Sequence, residues 1–319
     1  MKAELSFIIV NWNGGELLSR CVESIVESPP GVPYEVVVID NASSDESLSR
    51  LRASSAAAAL GETGLRIVEN TDNLGFGGAN NQAFALTEAP LLFLLNPDTR
   101  VTAGAVDRLI KTVRSEERVG GCGPRLVNED GSLQVSVWRN PPTVWAQLVE
   151  GFQLHRLMPR RMRGELLLAE HWEHNRRRRV NMLSGAAILV RREVIKEVGG
   201  FDERFHMYGE DNEWCLRIVR AGWTLMFEPE SVVVHHGAKS SMKRWDSLEK
   251  REVQANAHLR SLLYTLPRWR VVANLSTSYF LLSLQKVSRK LRGRDASEVE
   301  VTRKVYAAGL KRALRDGPD

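Results

Sequence analysis

At 319 residues, with 43% hydrophobic and 26% charged residues, the chain is long enough for one large α/β domain with an appendage and too apolar for a disordered one. A formal net charge of +5 suits an anionic small molecule or an anionic membrane surface, and without an aromatic-basic strand motif or zinc finger no nucleic acid partner is expected. Three scattered cysteines, Cys21, Cys122 and Cys215, exclude a disulfide framework and a four-cysteine zinc site, suit a reducing compartment and read as small buried hydrophobes.

The chain opens on a short apolar run, 5–10, with the β-branched residues of a buried strand rather than the long core of a signal peptide. Apolar spacing then predicts a helix over 16–28, stopped by Pro29-Pro30-Gly31. A second buried strand, 34–39, places Asp40 at its carboxyl end. The turn 41–45 offers Ser43 or Ser44 as a helix cap, which would leave Asp40 free. An alanine-rich helix to about Leu60, a strand over 65–69, a helix from Gly75 to about Thr87 and a strand over 91–95 follow. The last of these ends in Asn96-Pro97-Asp98. Strands alternating with helices predict a mostly parallel central sheet flanked by helices, with ligands beyond the carboxyl ends of the strands. Asp40 and Asp98 both stand at such ends.

Helix 102–115, strand 119–127 and a hairpin through Asp130-Gly131 to Val137 come next. Residues 138–179 change character. Trp138, Trp145, Trp172 and runs of arginine read as an irregular insertion with short helices. Order returns with a strand over 182–190, a helix over 191–198 and a helix from about Gly209 to Ala221. Strands over 223–227 and 231–235 lead to His235-His236-Gly237, and the rest reads as helical. No stretch of 18 clean apolar residues predicts a transmembrane helix.

Seven segments in order resemble the glycosyltransferase family 2 pattern on the GT-A fold, closest in appearance to the rhamnosyltransferase-like enzymes. They are residues 8–13 (IIVNWN), 38–45 (VIDNASSD), 73–77 (NLGFG), 96–98 (NPD), 199–205 (GGFDERF), 208–211 (YGED) and 235–237 (HHG). The resemblance implies an inverting, metal-dependent transferase over residues 1–240, with 138–179 as an acceptor-side insertion and 241–319 as a helical C-terminal extension. The donor would be a nucleotide-diphosphate sugar, dTDP-rhamnose by subgroup appearance. The acceptor would be a cell-surface glycan or a lipid-linked sugar.

The resemblance also assigns roles. A divalent metal, Mn²⁺ or Mg²⁺, offsets the charge that grows on a departing diphosphate. Its implied ligands are Asp98 and His235. The family's usual Asp-x-Asp begins here with Asn96, which is expected to touch the donor instead. Asp40 would accept from the pyrimidine N3–H, Val10 and Trp12 would wall the base, and Gly75 would bring backbone close to the donor at a helix start. Asp211 is the implied catalytic base, taking the acceptor's hydroxyl proton; Glu210, Trp214 and Arg217 would line the acceptor side. The glycines of 75–78 do not form the G-x-G-x-x-G fingerprint, which disfavours a dinucleotide oxidoreductase. The main alternative is a catalytically silent nucleotide-sugar-binding subunit. The apolar and basic spacing of 269–294 suits a membrane interface, packing on the catalytic domain or a homodimer, and the expected location is the cytoplasm or the inner face of the membrane.

Overall fold

The computed structural model describes residues 2–137, 143–205, 208–237 and 247–315; Trp138, counted above with the insertion, lies outside them. The chain divides into two compact units, residues 1–138 with 174–240, and residues 139–173 with 241–319.

In the first unit, the apolar runs form the strands expected of them. β1 is Leu5–Asn11, β2 Tyr34–Asp40, β3 Leu65–Glu69 and β4 Leu91–Leu95. They lie in the order β3-β2-β1-β4, all parallel, with Asn11 opposite Asp40. Helices α1 (Glu16–Glu27), α2 (Ser47–Arg52), α3 (Ser55–Gly64) and α4 (Gly75–Leu86) connect them. Phe7, Ile9, Val36, Val38 and Phe93 are buried in one core with Leu18, Val22 and Ile25 of α1. Burial on both faces is why these strands read as continuous apolar runs rather than alternating ones.

The sheet continues through β5 (Thr99–Val101), β6 (Val119–Val127), β7 (Arg178–Val180), β8 (Ala187–Arg191) and β9 (Thr224–His235). Its further order is β4-β8-β6-β9-β5, with β7 also on β9. β8 is antiparallel to β4 and β6, and β6 runs parallel to β9. The result is a mixed, largely parallel sheet of the GT-A type, with α5 (Ala105–Arg114), α8 (Arg192–Val198) and α9 (Glu210–Arg220) against it.

Four expectations are corrected here. Leu5 to Val10 gains Asn11, but 182–190 loses its first five residues to an irregular approach that ends at β8. The two strands expected at 223–227 and 231–235 are one, β9. Pro229, which lacks the N–H for a ladder bond, sits where the register against β6 shifts between Pro124 and Arg125. The hairpin to Val137 reduces to a turn with one bridge, Val127 to Leu133. β5 was not foreseen; three residues are too few to show a period.

The second unit holds the short helices α6 (Val144–Gly151) and α7 (Arg160–Leu167) and three long ones, α10 (Ser247–Thr265), α11 (Arg268–Leu291) and α12 (Ser297–Arg315). Leu262, Leu266, Val271, Leu275 and Tyr306 form its core. Gly309 lets α12 approach α10, since a Cβ there would run into Leu259. Glu300 of α12 takes Lys286 of α11 and Arg303 at 2.8 Å each. Those hydrogen bonds hold its carboxyl down at about 2.

Candidate active site

The site is built at the carboxyl ends of β1, β2 and β4, where the sheet changes from parallel to antiparallel. Asn11 ends β1 fully buried. Its side-chain amide donates to Asp40 Oδ1 at 2.7 Å and to the hydroxyls of Ser43 and Ser47 at 3.1 and 2.9 Å. The Ser43 N–H donates to Asp40 Oδ2 at 3.0 Å. Asp40 is only 3% exposed. Neither Ser43 nor Ser44 caps α2, which begins later, at Ser47. Asp40 is therefore not the free carboxylate expected from the sequence: both oxygens already hold the loop 41–47 against β1. Val10 and Trp12 flank Asn11 and are partly exposed on the same edge.

Beyond β4, Asn96-Pro97-Asp98-Thr99 closes a tight turn. The Thr99 N–H and hydroxyl both donate to the Asn96 carbonyl, at 3.2 and 2.7 Å. Pro97 occupies the turn position its fixed φ favours. A Cβ on Gly14 would meet both the Asn11 amide and Pro97, so the turn packs directly on the end of β1. The unforeseen strand β5 then pairs with β9, setting Thr99 opposite His235. This pairing brings together residues 137 positions apart in the chain. His235 Nε2 lies 3.2 Å from Asp98 Oδ1 and 3.3 Å from Asn96 Nδ2.

Sequence reasoning missed Gln134. Its Oε1 lies 2.6 Å from His235 Nδ1. Its amide nitrogen faces two acceptors, Asn128 Oδ1 at 3.2 Å and the His235 carbonyl at 3.5 Å. This fixes the amide's orientation, so Oε1 accepts and His235 Nδ1 carries the proton. Nε2 then presents a lone pair beside a carboxylate oxygen. Two acceptors at 3.2 Å repel unless a cation, or a second ring proton, lies between them. A ligating histidine with its other nitrogen held by an amide oxygen is the arrangement a metal site uses to set tautomer and ring orientation. The residues thus fit a divalent cation. Among the described residues no group of three His, Cys, Asp or Glu side chains forms a complete cage. Such a pair would leave the remaining positions to substrate phosphates and water, as hard cations in phosphate chemistry do.

Asp211 belongs to the same edge. The Asn96 N–H donates to the Ala186 carbonyl at 3.0 Å, and the adjacent Gly185 N–H donates to Asp211 Oδ2 at 3.1 Å. A Cβ on Gly185 would touch the Asp211 side chain at 3.4 Å and the Phe76 ring at 3.5 Å. Gly209, in the left-handed region at φ 92°, turns the chain into α9, whose second residue is Asp211. Desolvation pushes the Asp211 carboxyl above its ordinary value, opposed but not cancelled by the N–H groups of Gly185 and Asn212.

The remaining residues divide differently from expectation. Glu210 is 7% exposed. Trp214 is fully buried, donating its indole N–H to the Gly199 carbonyl at 3.0 Å, with the Phe201 ring centroid 4.4 Å away. Arg217 spends its guanidinium on Glu213 and on the carbonyls of Val198 and Gly200. Both lock α9 onto the 198–201 turn, so neither is the acceptor-lining side chain expected. Gly75 has φ 75° and starts α4, with its N–H on Asn73 Oδ1 at 2.9 Å. The close approach its neighbours permit is to protein: a Cβ on Gly77 would lie 3.0 Å from that of Phe201. Cys21, Cys122 and Cys215 are unpaired and buried, and burial pushes the Cys21 and Cys215 thiols up to about 12.

The family model for "Glycosyltransferase like family 2" matches residues 3–255. The chain belongs to this family and is a glycosyltransferase. It is 30% identical over 252 residues to the N-acetylglucosaminyl-diphospho-decaprenol L-rhamnosyltransferase of Mycobacterium tuberculosis, covering 74% of this chain and 77% of that one. It is 26% identical to a low-salt glycan biosynthesis hexosyltransferase, Agl10, of Haloferax volcanii, over 69% of this chain and 63% of the other. Among solved structures, it resembles a mannosyltransferase from Pyrobaculum calidifontis in complex with GDP-Man and Mn²⁺. The TM-score is 0.57 at 16% identity, over 99% of this chain and 88% of that one. No helix among the described residues is long and apolar enough to cross a membrane.

Proposed function

We propose that the chain is an inverting, metal-dependent transferase that moves rhamnose from dTDP-rhamnose to a hydroxyl of a lipid-linked glycan, working in the cytoplasm at the inner face of the membrane. The observation that carries this reading is the continuous edge from the Asp98–His235 pair through Asn96 and Gly185 to Asp211. The choice of sugar and acceptor draws support from the mycobacterial relative's name. A metal is supported by the Mn²⁺ in the archaeal structure and by the lone-pair geometry at His235.

Asp98 and His235 would hold the divalent cation, with Gln134 keeping the His235 lone pair turned towards it. The cation, when bound, neutralises charge developing on the departing diphosphate. Asn96 stands beside both ligands, positioned to contact the donor. Val10 and Trp12 border the same edge and are our candidates for the base wall. Asp211 accepts the proton of the acceptor hydroxyl as its oxygen bonds to the anomeric carbon. The bond from that carbon to the diphosphate oxygen breaks on the opposite side, and the nucleoside diphosphate leaves. Its raised pKa strengthens it as a base, and the start of α9 favours its anionic form. Glu210 is the nearest further carboxylate on the acceptor side.

The test is transfer from labelled dTDP-rhamnose to a polyprenyl-diphosphate-linked N-acetylglucosamine with Mn²⁺. Label in the lipid fraction, with the product's anomeric configuration opposite to the donor's, is expected. A product of retained configuration would remove Asp211 from its role, and turnover undiminished by a chelator would remove the metal.

A further inference from the structure

The two units carry opposite charge. Residues 1–138 and 174–240 contain 22 lysines and arginines against 27 acids, net −5; residues 139–173 and 241–319 contain 22 against 12, net +10. The mild charge of the whole chain is therefore a difference between an acidic catalytic unit and a strongly basic helical one.

Within the helical unit, α11 has two faces. One is spent on packing: Val271 and Leu275 are buried, Lys286 is paired with Glu300, and Tyr279 takes the Arg303 guanidinium at 2.6 Å. The other is apolar and open. Phe280, Leu284, Val287 and Leu291 are 51, 44, 55 and 84% exposed. Their spacings of four, three and four residues put them on one line along the helix. Phe152, 49% exposed after α6, widens the line at one end, its ring centroid 6.4 Å from that of Phe280. At the other end, Lys290, Arg292 and Arg294 are exposed, and none forms an ion pair among the described residues.

An apolar line bordered by uncompensated cations is what a helix lying in a lipid headgroup region presents. A second copy of this unit would meet it with +10 against +10, and an uncharged partner would leave the cations without purpose. We propose that the Phe280–Leu291 line of α11, with Phe152, is a docking surface for an anionic lipid bilayer. It draws its setting from the lipid-linked acceptor proposed above, but its physical basis is the charge and exposure of this unit alone.

Sedimentation of the full-length protein with vesicles tests it, using phosphatidylcholine with and without phosphatidylglycerol. The protein is expected to pellet with the anionic vesicles, to do so far less with neutral ones, and to be released by salt. Each basic residue near a charged surface is worth about fivefold in partition, so Lys290→Ala/Arg292→Ala/Arg294→Ala should lower it on the order of 100-fold. Phe280→Ser/Leu284→Ser/Leu291→Ser, changed only at open positions, should lower it by at least about tenfold. Equal pelleting with both vesicles, or none, overturns the proposal. So does a solution dimer, seen by ultracentrifugation, that the serine variant dissociates; a second copy would then be the occupant. Should the serine variant unfold, the alanine variant still decides. Donor binding, measured without lipid, is expected to be unchanged in the alanine variant, so failure here leaves the transferase reading standing.

Discussion

The two halves of the central sheet use the same material differently. In β3-β2-β1-β4 the strands are all parallel, and β1 and β2 end in polar residues that bond to one another. Asn11, Asp40 and Ser43 form a network in which the carboxylate has a partner on each oxygen. In β8-β6-β9-β5, antiparallel crossings bring distant segments edge to edge and leave acceptors facing acceptors, as at Asp98 and His235, or a carboxylate stripped of water, as at Asp211. The first half is a settled scaffold. The second holds its polar groups in states that a ligand would relieve, which is where chemistry is to be expected.

Substitutions in the second half should therefore cost activity before stability, and the reverse should hold in the first. The largest effect is expected at Asp211. Asp211→Asn keeps the shape but removes the base, and turnover should fall about 10³-fold with the melting temperature nearly unchanged. Single-turnover assays with labelled donor check this. In the wild-type enzyme the same group sets the acid limb of the pH profile. Its raised pKa means that the active carboxylate is lost on acidification at a higher pH than an ordinary aspartate would allow. The single-turnover rate should fall about tenfold per pH unit below that point, and the limb should vanish in the residual activity of Asp211→Asn. Gln134→Leu frees the His235 tautomer without touching the ligands, so Mn²⁺ affinity should drop by about 10–100-fold, while Gln134→Glu, which still accepts from Nδ1–H, should restore most of it.

The first half should respond in stability. Asp40→Ala removes the acceptor of the Ser43 N–H and one of the three acceptors of the buried Asn11 amide, at about 2 kcal/mol in denaturant unfolding. A loss confined to donor affinity would instead return Asp40 to the base-reading role its position suggests. The smallest effect is expected outside that half, at Gly200 in the turn between α8 and α9, where a Cβ would press on the Asn81 amide of α4 that accepts from the Phe201 N–H; Gly200→Ala should cost about 1–2 kcal/mol.

The same contrast explains what could be read from the sequence. β4 was legible to the residue, because a buried strand is a bare apolar run bounded by turns, and the part-exposed β3 was legible from its short run around Ile67 and Val68. The family motifs singled out Asp98, Asp211 and His235 as candidates, since a carboxylate or histidine at a strand or helix end stands out against apolar neighbours, and the structure sets Asp98 3.2 Å from His235. β5 is too short to carry a pattern, and yet it is the strand that registers Asp98 with His235. Gln134 lies in a turn whose sequence, Asp130-Gly131, announces the bend but not what the bend delivers. Trp214 and Arg217 were misjudged because an aromatic and a cation beside acids resemble a binding face. Only packing shows that Phe201 and the 198–200 carbonyls already occupy them. In the helical unit, periodicity gave a stripe along α11 but could not say which side was taken.

The division of labour at the active edge is open to one direct measurement: calorimetric titration of nucleoside diphosphate into the wild type, Asp98→Ala and Asp211→Asn, each with and without Mn²⁺. Asp211→Asn should bind as the wild type does, with affinity raised by the metal, whereas Asp98→Ala should lose the metal-dependent part and keep the rest. Metal-dependent binding retained by Asp98→Ala, or abolished in Asp211→Asn, would contradict the assignment of cation and proton to separate groups on this edge.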